Sequence, residues 1–170
     1  KYATGSSQFL DLPDGARIHF RDEGKPENPA IVLLHGFNGS LFNFERLVPF
    51  LVNDFRLISI DLPGFGLTGA TPTADYTTEG FIDVVTKLTN ELGIEKFSIA
   101  GNSMGGGVAW RYTLEFPTKV EGLILLASSG VGSKEDVKKF DERENKTPIV
   151  WRLMDSALLK KFLHYYTPKF

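Results

Sequence analysis

The 170-residue sequence has no cysteine, which excludes disulfides, thiolate nucleophiles and cysteine-ligated zinc together. Long apolar runs are missing as well. The longest, Ala30–Leu34 and Leu123–Ala127, fall far short of the ~20 residues that cross a bilayer, and no signal-peptide pattern is visible. Neither charge predominates: 19 Lys and Arg stand against 21 Asp and Glu, a net −2. Without a basic block, a nucleic-acid partner has no electrostatic support. The expectation is a soluble, cytoplasmic chain, although an opening at Lys1 instead of Met leaves an exported or anchored precursor open. What is present is ordinary globular material, 42% hydrophobic and 24% charged, enough for the core of one domain.

The apolar pattern predicts strands alternating with helices. Gln8–Leu12 and Ala16–Asp22 flank Asp14-Gly15, a hairpin signal because both turn residues tolerate positive φ. Ala30–Leu34 is apolar throughout, as in a strand buried on both faces. Phe44, Leu47, Val48 and Leu51 predict a helix over Phe42–Val52, with Pro49 set to end or kink it. A strand at Arg56–Ile60 follows, then a helix from Thr78 to Leu92 with Gly93 as its stop. Lys96–Ala100 is a strand, Met104–Phe116 a helix closed by Pro117, and Gly122–Ala127 a strand. Such alternation means βαβ units: an α/β fold, with a mostly parallel sheet and helices on both faces. After Gly130 the composition changes. Lys134–Lys146 carries five basic and five acidic residues, which reads as a solvated, salt-bridged helical surface. From Thr147 onward apolar residues keep a helical rhythm, and no further buried strand is predicted.

The sharpest chemical signal is Gly101-Asn102-Ser103-Met104-Gly105, set between a buried strand and a helix. A turn tight enough to present a serine this way needs residues without side chains two before and two after it. Gly101 and Gly105 supply them. A glycine-rich strand-to-helix turn can also cradle phosphate, but this one has neither the Lys-Ser/Thr ending of a P-loop nor the dinucleotide glycine spacing. The second signal is His35-Gly36-Phe37-Asn38-Gly39-Ser40, directly after another buried strand. An acyl-transfer intermediate needs two backbone N–H groups aimed at its oxyanion. Met104, following the serine, offers one, and Phe37 in this loop the other. His35 is read as a brace for its loop, and His19 as a strand residue of the leading hairpin.

His35-Gly36 after one strand, Asp61-Leu62-Pro63-Gly64-Phe65-Gly66 after the next and Gly-Asn-Ser-Met-Gly after the third resemble the α/β-hydrolase fold family over residues 8–130. The resemblance implies a serine hydrolase of the esterase and lipase-like branch acting on a small-molecule ester. It assigns Ser103 as nucleophile, Phe37 and Met104 as oxyanion hole, and a shaping role to the loop opened by Asp61. No metal or organic cofactor is implied. Serine at 103 argues against the dehalogenase and epoxide-hydrolase branches, which use aspartate. Carbon–carbon hydrolases that cleave ring-fission products share the Gly-Asn-Ser-Met-Gly turn and remain an alternative, as does a non-catalytic binding protein of the same fold. Leu41, Phe42 and Phe65 are candidate apolar walls.

The family's order is Ser, then Asp or Glu, then His, and the sequence departs from it. Only His164 follows Ser103, and Asp155, nine residues before it in the same helical pattern, would fall on the opposite face. The slot after the sixth strand, where some members place the acid, reads Ser128-Ser129-Gly130. Residues 1–130 are therefore expected to be the N-terminal part of a hydrolase core, and 131–170 the start of a helical cap or lid. The catalytic acid and base, and the last strands, are expected outside these 170 residues, in the same or a second chain. Because this would leave a bare edge on Gly122–Ala127, Lys1–Phe170 is not expected to be an autonomous folding unit.

Overall fold

A computed structural model describes residues 3–130. The strands are β1 (Ser7–Asp11), β2 (Arg17–Glu23), β3 (Ala30–Leu34), β4 (Arg56–Ile60), β5 (Phe97–Asn102) and β6 (Val120–Leu126). The helices are α1 (Val48–Leu51), α2 (Thr78–Glu91) and α3 (Met104–Glu115). The charged segment Lys134–Lys146, the expected cap, and Asp155 and His164 lie outside the described residues.

The six strands form one sheet in the order β1-β2-β4-β3-β5-β6. β1 and β2 form the hairpin, with Gly15 at φ +84°, and β2 runs antiparallel to β4. The pairs β3–β4, β3–β5 and β5–β6 are parallel. β3 is central, which accounts for its wholly buried, wholly apolar sequence. β6 pairs beside β5 as expected and is the last strand in the sheet among the described residues. The chain passes from β3 to β4 on one side and returns to β5 on the other. In open parallel sheets such a reversal opens a crevice at the carboxyl ends of the two strands.

Alternate β3 residues serve two cores. Val32 and Leu34 pack with Ile58, Ile60 and Ile99 beneath Val85 and Leu88 of α2 and Val108, Ala109 and Tyr112 of α3. Ile31 and Leu33 face the opposite side, with Leu57, Phe44 and the α1 residues Val48 and Leu51. Helices thus cover both faces, and each large apolar side chain so buried contributes on the order of 1.5–3 kcal/mol. α2 is capped by Thr77, whose Oγ1 accepts the Gly80 N–H at 3.1 Å, and ends before Gly93 at φ +65°.

The helix expected over Phe42–Val52 is corrected. The chain instead makes a short 3₁₀ turn at Leu41–Phe44 and then the single-turn α1. Pro49 lies within the first turn of α1, where a missing N–H costs no hydrogen bond. The proline opens a helix here; it does not break one.

Candidate active site

β5 runs through Gly101 and Asn102, and α3 starts at Met104. Ser103 alone makes the join, at φ 49° and ψ −114°. A non-glycine residue held there costs on the order of 1–3 kcal/mol and persists only where its surroundings over-determine it. Those surroundings are explicit. The Ser103 N–H donates to the Leu126 carbonyl at 3.0 Å, and the Ser103 carbonyl accepts the N–H groups of Gly107 at 3.1 Å and Ser129 at 2.9 Å. The glycines are required sterically. A Cβ on Gly101 would collide with the Gly105 backbone, and one on Gly105 with the carbonyls of Leu34 and His35. The absence of both side chains lets α3 start directly against the end of β3.

Leu34 and Gly101 are partners in the β3–β5 register, so the segments that follow them leave the sheet side by side. A Cβ on Gly36 would lie 3.2 Å from Ser103 Cβ and 2.9 Å from Asn102 Oδ1, so the loop carrying Phe37 lies against the serine. That loop turns tightly, with Gly39 N–H donating to Gly36 O at 3.0 Å and Asn38 at φ 55°. Met104 is the first residue of α3, where backbone N–H groups have no partner within the helix and the helix dipole favours negative charge. Ser103, Met104 and the Phe37 loop therefore meet at the β3–β5 crevice. The Phe37 ring is 76% exposed and meets Phe65 edge-on at 5.6 Å. Of the other expected walls, Leu41 is buried, and the Phe42 ring lies 4.6 Å from the Arg21 guanidinium.

Both described histidines have both ring nitrogens engaged. His35 Nδ1–H donates to the Gly36 carbonyl at 2.7 Å, and its Nε2 accepts the Leu62 N–H at 3.0 Å. Burial holds this imidazole below its ordinary value; the bond to Gly36 and the charge of Asp61 oppose that shift less strongly. His35 is thus a brace between the loops after β3 and β4. His19, read from sequence only as a strand residue, is fully buried. Its Nδ1 bonds Asp61 Oδ2 at 2.7 Å and its Nε2 meets the Ser7 hydroxyl at 2.9 Å. Asp61 also accepts the N–H groups of Leu41 at 2.7 Å and Leu67 at 2.8 Å. The signal for this pair was the β2–β4 pairing, which no local pattern encodes. Among the described residues no group of three or more His, Asp and Glu is placed to hold a metal, and no helix is long and apolar enough to cross a membrane.

A family model described as alpha/beta hydrolase fold matches residues 29–167. A serine hydrolase-like protein of Danio rerio is 35% identical over 108 residues, which is 63% of this chain and 33% of that protein. Among solved structures, a carboxylesterase of the thaumarchaeon Nitrososphaera gargenis is 28% identical with a TM-score of 0.70, covering 80% of this chain and 51% of that one. The 2-hydroxy-6-oxo-6-phenylhexa-2,4-dienoate hydrolase of Rhodococcus is 29% identical with a TM-score of 0.64, covering 75% and 49%. The chain spans well under two thirds of the length of the curated relatives it matches.

Proposed function

The chain belongs to the alpha/beta hydrolase fold family, and on that premise we propose that it carries the nucleophile and oxyanion hole of a serine hydrolase acting on small-molecule carboxylic esters. The observation that carries this reading is the left-handed Ser103 at the strand–helix join, with the Phe37 loop against it. Ser103 Oγ attacks the acyl carbon as its proton passes to a histidine. The carbonyl oxygen, now negative, is held by the Phe37 and Met104 N–H groups, the kind of stabilisation that supplies much of the rate in acyl transfer. Collapse expels the alcohol, which takes the proton, and leaves an acyl-serine that water then hydrolyses. Since His19 and His35 are committed to Asp61, Ser7, Gly36 and Leu62, the base is a histidine outside the described residues.

The test is hydrolysis of p-nitrophenyl acetate and butyrate by the full protein and its Ser103→Ala variant. Loss of turnover by at least about 10³-fold supports the reading, and retained turnover rejects it. A second reading, hydrolysis of a carbon–carbon bond in a ring-fission product, is favoured by the Gly101-Asn102-Ser103-Met104-Gly105 turn and the likeness to the Rhodococcus dienoate hydrolase. A marked preference for such a dienoate over the nitrophenyl esters selects it.

A further inference from the structure

Ser128-Ser129-Gly130 stands out in the sequence for lacking a carboxylate, but the structure gives the segment a definite contact. Directly after β6 the chain turns sharply, with Ala127 in the left-handed region at φ 46°, and comes back over the start of α3. Ser129 then makes two hydrogen bonds to one atom. Its N–H at 2.9 Å and its hydroxyl at 3.0 Å both donate to the carbonyl oxygen of Ser103. The approach depends on α3 starting with bare glycines. A Cβ on Gly106 would strike Ser128, and one on Gly107 would lie 3.0 Å from Ser129 Oγ. With the Ser103 N–H bonded to Leu126, the end of β6 and the turn after it grip the serine's backbone on both sides.

We propose that Ser129 is a positioning residue for the nucleophile: its hydroxyl fixes the Ser103 carbonyl, and with it the strained backbone from which Ser103 Oγ and the Met104 N–H are aimed. The proposal rests on the reading of Ser103 as nucleophile. The Ser103 carbonyl begins the peptide unit that carries the Met104 N–H, so a rotation of that plane moves both the nucleophile and one oxyanion donor. Catalysis is sensitive to such small displacements, whereas substrate binding elsewhere in the crevice is not. The backbone N–H of Ser129 survives any ordinary substitution, so the hydroxyl can be tested alone.

The experiment compares Ser129→Ala, Ser129→Val and Ser129→Thr in the full protein. Each is assayed on p-nitrophenyl butyrate, with turnover expressed per active site titrated by a serine-directed phosphonate, and thermal unfolding is followed in parallel. The expected result is a roughly 3- to 10-fold lower kcat per titrated site for the Ala and Val variants, the scale of one lost hydrogen bond. KM should stay within about twofold, and Thr, which keeps the hydroxyl in the shape of Val, should restore the rate. A wild-type kcat per site in Ser129→Ala, or a Thr variant as slow as Val, overturns the proposal. A lowered unfolding temperature with unchanged kcat per site assigns Ser129 a purely structural role and also overturns it. Ser103→Ala run alongside separates the two readings. If it is inactive while Ser129→Ala is unimpaired, only this proposal fails; if it stays active, both do.

Discussion

His19 and Asp61, 42 residues apart in sequence, meet in the interior with His19 Nδ1 2.7 Å from Asp61 Oδ2. The same carboxylate accepts the N–H of Leu41, in the chain that follows the Phe37 loop, and of Leu67 beyond β4. One buried side chain thus ties a strand of the hairpin to the loops after β3 and β4. Gly66 belongs to the arrangement, because a Cβ there would collide with the Asp61 carboxylate.

Replacing Asp61 by alanine leaves three donors without their acceptor, two of them in the deep interior. The expected destabilisation is about 3–5 kcal/mol, on the scale of breaking a buried hydrogen-bonded pair. Urea unfolding of the full protein measures it. A loss below about 1 kcal/mol would show that water replaces the carboxylate readily.

Gly105→Ala tests the steric basis of the Ser103 turn. Its Cβ would overlap the Leu34 and His35 carbonyls, and neither can retreat without disrupting β3. The expected cost is about 2–4 kcal/mol, read by guanidinium unfolding, together with loss of ester turnover. An Ala variant of native stability would mean that α3 stands off from the sheet.

The buried His35 imidazole, held below its ordinary value by burial, sets a pH dependence whose sign can be stated. Between the folded value and the ordinary value near 6.5, the unfolded chain binds the proton that the folded chain refuses. Stability from this group is therefore complete above about pH 6.5 and is lost as pH falls below it toward the lowered folded value. Protonation would also place a hydrogen on Nε2, where the Leu62 N–H already points. Unfolding free energies measured from pH 8 to pH 5 should decline on the acid side, and His35→Gln should flatten that decline while lowering stability at every pH. An identical slope in the variant would assign the dependence to other groups.

The parts of this fold that were legible in sequence are those decided locally. Five consecutive apolar residues fixed β3 as a doubly buried strand, Asp14-Gly15 marked the hairpin, and Gly93 marked the end of α2. The spacing of Gly101, Ser103 and Gly105 marks the turn because two glycines flanking a serine between a strand and a helix form a local pattern, although the clash that Gly105 avoids is with the distant Leu34 and His35 carbonyls. The contacts that were not legible join distant segments. His19 looks like any polar residue in an edge hairpin until β2 pairs with β4 and brings Asp61 beside it. Ser129 carries no pattern at all, since its role exists only once Ala127 turns the chain back over α3. Phe42–Val52 reads as one helix in the sequence because the spacing of its apolar residues is also met by a 3₁₀ turn followed by one α-turn, with Pro49 opening the second.

The most direct measurement is active-site labelling of the full protein with a fluorophosphonate, followed by peptide mass spectrometry. The account expects a single phosphonylated peptide with the adduct on Ser103, complete loss of ester hydrolysis at one equivalent bound, and no labelling of Ser103→Ala. An adduct on another serine with Ser103 unmodified, or esterase activity surviving full labelling of Ser103, would contradict it.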